Sequence, residues 1–178
     1  LNIEGFGKKI VENFWKLKLI RLPQDIFKLD YNKIENLDGW GKLSVANLKY
    51  SVDLGRNISF EKFIFSLGIR HIGIENAKLI SKSLKSLKNF LLLSKKHNFD
   101  DLLNIDGIGE TQINSIKNFF SSSTNLKVIK DLEKVCNVKD AKIQKTNGLL
   151  NNKTFMLTGK LEAMSRAEAK SLIEENSG

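Results

Sequence analysis

The chain has 178 residues and a mass of 20.2 kDa, with 41% apolar residues, a single cysteine and a net charge of +9. That length and apolar share suffice for one or two hydrophobic cores and exclude a disordered or fibrous chain, while the lone Cys136 excludes an internal disulfide. No apolar run approaches the ~20 residues that cross a bilayer and no signal-peptide pattern stands at Leu1, so a cytoplasmic protein with no membrane partner is expected. His71 and His97 are too far apart in sequence for a zinc site of usual ligand spacing, and no structural metal is expected.

In chain order, the first element is a tight turn, "IEGFG" (Ile3 to Gly7), opening a helical pattern in which Ile10 and Phe14 lie beside Val11 and Trp15. Asp30, a residue type that caps helix starts, introduces the short helical stretch "YNKIENL". "LDGWG" (Leu37 to Gly41) follows, then a helix with Val45 and Leu48 on one side. Ser59 opens "FEKFIFSL", "IRHIG" (Ile69 to Gly73) comes next, and Ala77, Ile80 and Leu84 mark the helix after it. Asn98, with Asp101 three residues on as an approximate capping box, opens "FDDLLNI". "IDGIG" (Ile105 to Gly109) then leads into a helix carrying Ile113, Ile116 and Phe120. Apolar residues three and four apart give each longer helix one buried stripe. Further on, "KTFMLTG" (Lys153 to Gly159) reads as a short strand ending in a turn, and Ser165 with Glu168 forms a capping box for a helix running toward Glu175.

The four turns form a repeat. Each reads apolar, any residue, glycine, apolar, glycine, except that His71 replaces the first glycine of the third copy. The second glycines, Gly7, Gly41, Gly73 and Gly109, are spaced by 34, 32 and 36 residues. Helical protein-interaction repeats share such a period, but their common residues lie where helices cross. Here the turn is constant and the helices vary, so the turn is the functional part.

Glycine accepts positive φ and leaves nothing between its backbone and a ligand. A turn ending in glycine at a helix start presents unpaired N–H groups at the positive end of the helix dipole, which is a phosphate site. The candidate phosphate-binding residues are Gly5, Gly7, Lys8 and Lys9 at the first turn, Gly39, Gly41 and Lys42 at the second, and Arg70, His71, Gly73 and Lys78 at the third. At the fourth they are Gly107, Gly109 and Thr111, since Glu110 stands there in place of a lysine. His is among the residues enriched at positive φ, so His71 is expected to replace glycine without collapsing the turn. Phe6, Trp40, Ile72 and Ile108, between the glycine positions, are expected to turn inward as anchors. Charge agrees: residues 1 to 145 hold 25 Lys and Arg against 16 Asp and Glu, whereas residues 146 to 178 hold 4 against 4. The chain is rich in Lys, Asn and Ile, yet compositional bias alone would not confine the excess to one segment, which leaves a polyanionic partner.

These repeats, the phrase "SLGIRHIG" (Ser66 to Gly73) and the segment "GLLNNKTFMLTGKLEAMSRAEAKSLIEENSG" (Gly148 to Gly178) together resemble the C-terminal part of a bacterial NAD-dependent DNA ligase. The resemblance covers the whole chain. It implies a mostly α fold with four tandem helix-hairpin-helix motifs in two pairs over residues 1–140, a linker over 141–152, and over 153–178 the first strand and helix of a truncated α/β BRCT-like domain. It further implies a parent enzyme that forms a lysyl-adenylate from NAD and seals nicks with a divalent metal such as Mg, after an upstream zinc module. The partner implied is double-stranded, nicked DNA, gripped through backbone phosphates by a monomer in the bacterial cytoplasm and nucleoid.

None of the catalytic residues is expected in this chain. Asn36 and Asn104 stand where the nucleophilic lysine of a Lys-x-Asp-Gly motif would be, and the four cysteines of the zinc module are missing, which leaves Cys136 as an unrelated buried residue. Thr158 and Gly159 match the Thr/Ser-Gly pair that binds phosphate in some BRCT domains, but the lysine completing that pocket is expected beyond Gly178, so phosphopeptide binding is not expected. The absence of a methionine at Leu1 and the stop at Gly178 suit a piece of a longer protein. Rival readings are another repair or recombination protein with tandem hairpins, such as an excinuclease subunit or junction-binding protein, and a helical protein-binding scaffold.

Overall fold

The computed structural model describes residues 3–96, 98–141, 148–151, 153–159 and 163–176, and the chain divides into two compact units, 1–141 and 142–178. His97 and most of the expected linker lie outside the described residues. The described structure is mostly helical, as the periodicity implies.

In the first unit, α1 (Lys8–Lys16) buries a narrower stripe than the sequence suggests. Phe14 is fully buried and Ile10 half-buried, whereas Val11 and Trp15 face solvent. The Arg21 guanidinium lies 5.0 Å from the centre of the Trp15 ring, which shields part of that exposed face. A 310 helix (Pro23–Lys28) follows, with proline at its first turn and the Asp25 carboxylate accepting the N–H groups of Arg21 and Leu22, both at 2.8 Å. The Asp30 carboxylate accepts the Lys33 N–H at 3.3 Å and so caps α2 (Tyr31–Glu35), which leads to α3 (Lys42–Gly55).

Strand β1 (Asn57–Ser59) passes into α4 (Phe60–Ser66), then α5 (Ile74–Leu84) and α6 (Leu87–Lys96). Ser59 is the residue before α4, but its hydroxyl donates to the Glu61 carboxylate at 2.6 Å and does not cap the helix. The Asn98 expectation also fails. Its amide donates to the Asp101 carboxylate at 2.9 Å, and the element that forms is a 310 helix (Asp100–Asn104) starting after Phe99. Phe99 has helical torsions, φ −89° and ψ −8°, so the extended geometry of a capping residue is lacking there. Helices α7 (Glu110–Ser121) and α8 (Ser123–Val135) and strand β2 (Asn137–Lys139) complete the unit.

Two aromatic groups hold the core. Phe14 lies 5.7 Å from Phe6 and 5.5 Å from Trp40, centre to centre, which ties the first turn to the second. Phe60, Phe90, Phe120 and Phe99 run in sequence at 6.1, 5.0 and 5.4 Å through α4, α6, α7 and the residue that precedes the second 310 helix. Strands β1 and β2 pair in parallel, with Ile58 opposite Val138. Arg56, just before β1, donates to the carbonyls of Phe27 at 2.7 Å and Val135 at 3.1 Å and to the Asp53 carboxylate at 3.1 Å. It thereby joins the first 310 helix, α3 and α8. Arg56→Met is expected to lower unfolding stability by about 2 to 4 kcal/mol, since two charge-assisted hydrogen bonds to carbonyls are lost together; chemical denaturation checks this, and a loss below about 0.5 kcal/mol would contradict it.

The second unit contains α9 (Arg166–Glu175), opened as expected by a capping box. The Ser165 N–H donates to Glu168 at 2.7 Å and the Glu168 N–H to the Ser165 hydroxyl at 3.2 Å. These bonds hold the Glu168 carboxyl below its ordinary value. Its folded form is therefore favoured above the unfolded carboxylate range, and the contribution is lost as pH falls through the depressed value. Acid titration of the α9 amide signals is expected to show fraying that Glu168→Ala, which removes the acceptor, displays already at neutral pH; identical profiles for the two proteins would refute the cap. The expected strand at Lys153 to Gly159 is absent: residues 153–158 form no β ladder, and Gly159 takes φ +72°. A strand needs a partner for its N–H and C=O groups, and no described segment of 148–176 supplies one.

Candidate nucleic-acid interface

All four turns close by the same hydrogen bond. The N–H of Phe6, Trp40, Ile72 or Ile108 donates to the carbonyl of Ile3, Leu37, Ile69 or Ile105 at 3.1, 3.1, 3.1 and 3.0 Å. The third residue of each turn takes positive φ: Gly5 +75°, Gly39 +78°, His71 +61° and Gly107 +88°. That is the position at which a type II turn demands glycine or a tolerant substitute. His71 is such a substitute, and its carbonyl accepts the Asn76 amide at 3.0 Å. Ile72 and Ile108 are buried and Phe6 and Trp40 pack partly buried against the core, so these four residues are anchors.

The second glycines behave differently. Gly7, Gly41, Gly73 and Gly109 all cap a helix in extended conformation, with ψ within a few degrees of 180°, which any residue adopts. A Cβ on Gly7, Gly41 or Gly73 would meet nothing within 4 Å, and on Gly109 only the Gln112 amide oxygen at 3.5 Å. Nothing inside the protein requires glycine there, and serine or aspartate would cap better.

The N–H groups differ between turns. Those of Gly7 and Gly73 have no partner among the described residues. The Gly41 N–H is taken by the Ser44 hydroxyl at 2.9 Å and the Gly109 N–H by the Gln112 amide oxygen at 3.2 Å. Ser44 and Gln112 are absent from the sequence-derived site, although each stands three residues after its glycine, where the polar half of a capping box belongs.

Lys9, Lys42, Arg70 and Thr111 are exposed at the turns. Lys8 is also exposed, with Glu12 3.8 Å away on the same helix. Lys78 is only partly exposed and pairs with Glu75 at 3.0 Å, which offsets its charge toward any anion. The first two turns are brought together by Phe14 and by the close approach of Ile3 to Gly55, where an added Cβ would stand 2.9 Å from the Ile3 side chain. The last two meet where Gly107 faces Leu79 of α5; a Cβ there would lie 3.0 Å from its methyl group. Thr158 and Gly159 are exposed in the second unit. Cys136 is buried, and burial pushes its thiol above the ordinary range. Among the described residues, no helix is long and apolar enough to cross a membrane. Nor does any group of three or more His, Cys, Asp and Glu there fit a metal ion.

Helices joined by such turns define the helix-hairpin-helix class, and residues 62–129, from α4 into α8, match the family model described as "Helix-hairpin-helix motif". The chain is also similar over nearly all its length to proteins named "DNA ligase". The one from Pelagibacter ubique (strain HTCC1062) is 68% identical over 177 residues, 99% of this chain and 26% of that protein. Those from Rickettsia canadensis (strain McKiel) and Rickettsia bellii (strain RML369-C) are 41% and 40% identical over 187 residues, 98% of this chain and 27% of each. The chain thus belongs to the DNA ligase family as a segment, spanning about a quarter of the length of the relatives it matches.

Proposed function

We propose that this chain is the DNA-gripping part of an NAD-dependent DNA ligase, holding duplex DNA around a nick through backbone phosphates. The observation that supports this most is the second glycine of the first three turns, which stands where the fold does not need it and where an added side chain would meet open space. Phosphate oxygens reach the N–H groups at the starts of α1, α3, α5 and α7, and the exposed lysines at α1 and α3 add charge. The turns offer phosphate donors and no arrangement for reading base edges, so binding is independent of sequence. Gly5, Gly39, His71 and Gly107 shape the turns, and Gly7, Gly41, Gly73 and Gly109 face the phosphates.

The four turns act as tandem motifs in two pairs over residues 1–140. Residues 141–152 serve as a linker, and residues 153–178 correspond to the opening of a BRCT-like domain. The lysyl-adenylate chemistry with NAD, the divalent metal and the zinc module belong to other parts of the parent protein. Asn36 and Asn104 carry amides that cannot attack the nucleotide, so this chain alone is expected to seal no nicks. It works as a monomer on DNA in the bacterial cytoplasm.

Salt dependence tests the reading. With roughly 4 to 8 phosphates engaged, the logarithm of duplex affinity is expected to fall with the logarithm of salt concentration at a slope of about −4 to −7, and equally for unrelated sequences. An affinity insensitive to salt would sink it.

A further inference from the structure

Beside the phosphate-facing turns lies a groove of about 470 Å³, between the first turn and α3, that phosphate binding does not use. Its lining includes Glu4 and Gly5 of the first turn, Trp40 of the second, and Ser44, Asn47, Tyr50 and Ser51 of α3. Its chemistry differs from that of the turns. It has no lysine or arginine, and its one charged group is a carboxylate, so a phosphate would be repelled from it. What it offers is two aromatic side chains, an amide, the hydroxyls of Ser44 and Ser51, the first of them already accepting the Gly41 N–H, and a carboxylate that can accept from an exocyclic amine. Tyr50 is 66% exposed, and no ring or cation partner lies against it among the described residues. Lys8, Lys9 and Lys42 are exposed at the starts of α1 and α3, the helices whose Ile10 and Ser44 line the groove.

From this we infer that the groove takes a single unstacked nucleobase, whose flanking phosphates lie on the turns either side. The inference rests on the DNA-gripping reading for the phosphates but concerns a different ligand group. A base displaced from a helix loses its stacking partner, and an exposed aromatic face restores it. The carboxylate of Glu4 and the amide of Asn47 suit the hydrogen-bonding edge of a base, and the volume is in the range of pockets that hold small molecules of nucleoside size. DNA with an unpaired nucleotide at a nick, as a flap or a bulge, is the substrate form that presents such a base. The groove thereby distinguishes it from intact duplex.

The test compares intact duplex with the same duplex carrying a nick and one unpaired nucleotide, titrated against the full chain and Tyr50→Ala. Asn47 and Tyr50 are exposed on a helix whose buried face is Val45, Leu48 and Val52, so substitution leaves the fold in place. The wild-type chain is expected to prefer the DNA with the unpaired nucleotide about tenfold, the scale of one base-aromatic stack. Tyr50→Ala should abolish that preference without changing affinity for intact duplex, and Tyr50→Phe should keep it. With Trp15→Phe, emission from Trp40 should change on adding a short single strand. No preference in the wild type, or an equal loss on both DNAs in Tyr50→Ala, overturns the inference. If intact duplex fails to bind at all while the single strand still perturbs Trp40, the groove stands and the duplex-gripping reading falls.

Discussion

Replacing Gly73 by serine is expected to weaken duplex binding about tenfold while leaving the melting temperature unchanged or slightly raised. Serine is a better helix cap than glycine by a few tenths of a kcal/mol, and the backbone at Gly73, φ −79° and ψ 179°, accepts it without strain. The gain in capping and the loss in binding have one cause. The new hydroxyl accepts the N–H groups of the first helical turn, the same donors a phosphate would use, and its Cβ fills the approach. A charge-assisted hydrogen bond is worth about 1.5 to 3 kcal/mol, hence the factor of ten or more. Gly107→Ala is expected to do the reverse in the first instance. At φ +88° with a Cβ 3.0 Å from Leu79, it should cost about 1 to 3 kcal/mol of stability. Fluorescence anisotropy with duplex and thermal unfolding of both variants check the pair. Unchanged affinity in Gly73→Ser would favour the protein-binding scaffold.

The second large effect is expected from Phe14→Ala, a loss of about 3 to 5 kcal/mol in unfolding free energy. Phe14 is fully buried, and both Phe6 and Trp40 rest on its ring, so its removal leaves a cavity shared by two turns. Both turns then lose their anchor, and in a Trp15→Phe background the emission of Trp40 should shift to the red in the folded protein. Denaturant unfolding followed by that emission measures both. A loss under about 1 kcal/mol would mean that the two turns hold their shape independently.

The difference between the two glycines of each turn was only half legible in the sequence. The pattern marked both as special, and the spacing marked the turns as a repeat. Yet the pattern does not say that the first glycine serves the fold and the second leaves space outside it; that separation needs φ at Gly39 and Gly107 and the empty surroundings of Gly41 and Gly73. His71 was a clue, because a residue tolerant of positive φ is found at the first position, never at the second.

What the sequence by itself determined is what neighbouring residues decide among themselves. The four turns close through hydrogen bonds three residues apart, the Asp30 cap and the Ser165–Glu168 box span three residues, and the apolar stripes of α3, α5 and α7 follow helix periodicity. What only the tertiary structure decided involves residues far apart in the chain. Asn57 meets Asn137 across β1 and β2, Arg56 reaches Phe27 and Val135, and Phe14, beside an equally apolar Trp15, is buried because Phe6 and Trp40 arrive from two turns to cover it. At Lys153 to Gly159 the residues favour a strand, yet none forms among the described residues. Helical turns satisfy their hydrogen bonds locally, whereas a strand, a guanidinium bonded to distant carbonyls and the choice of a core face depend on partners that local sequence does not specify.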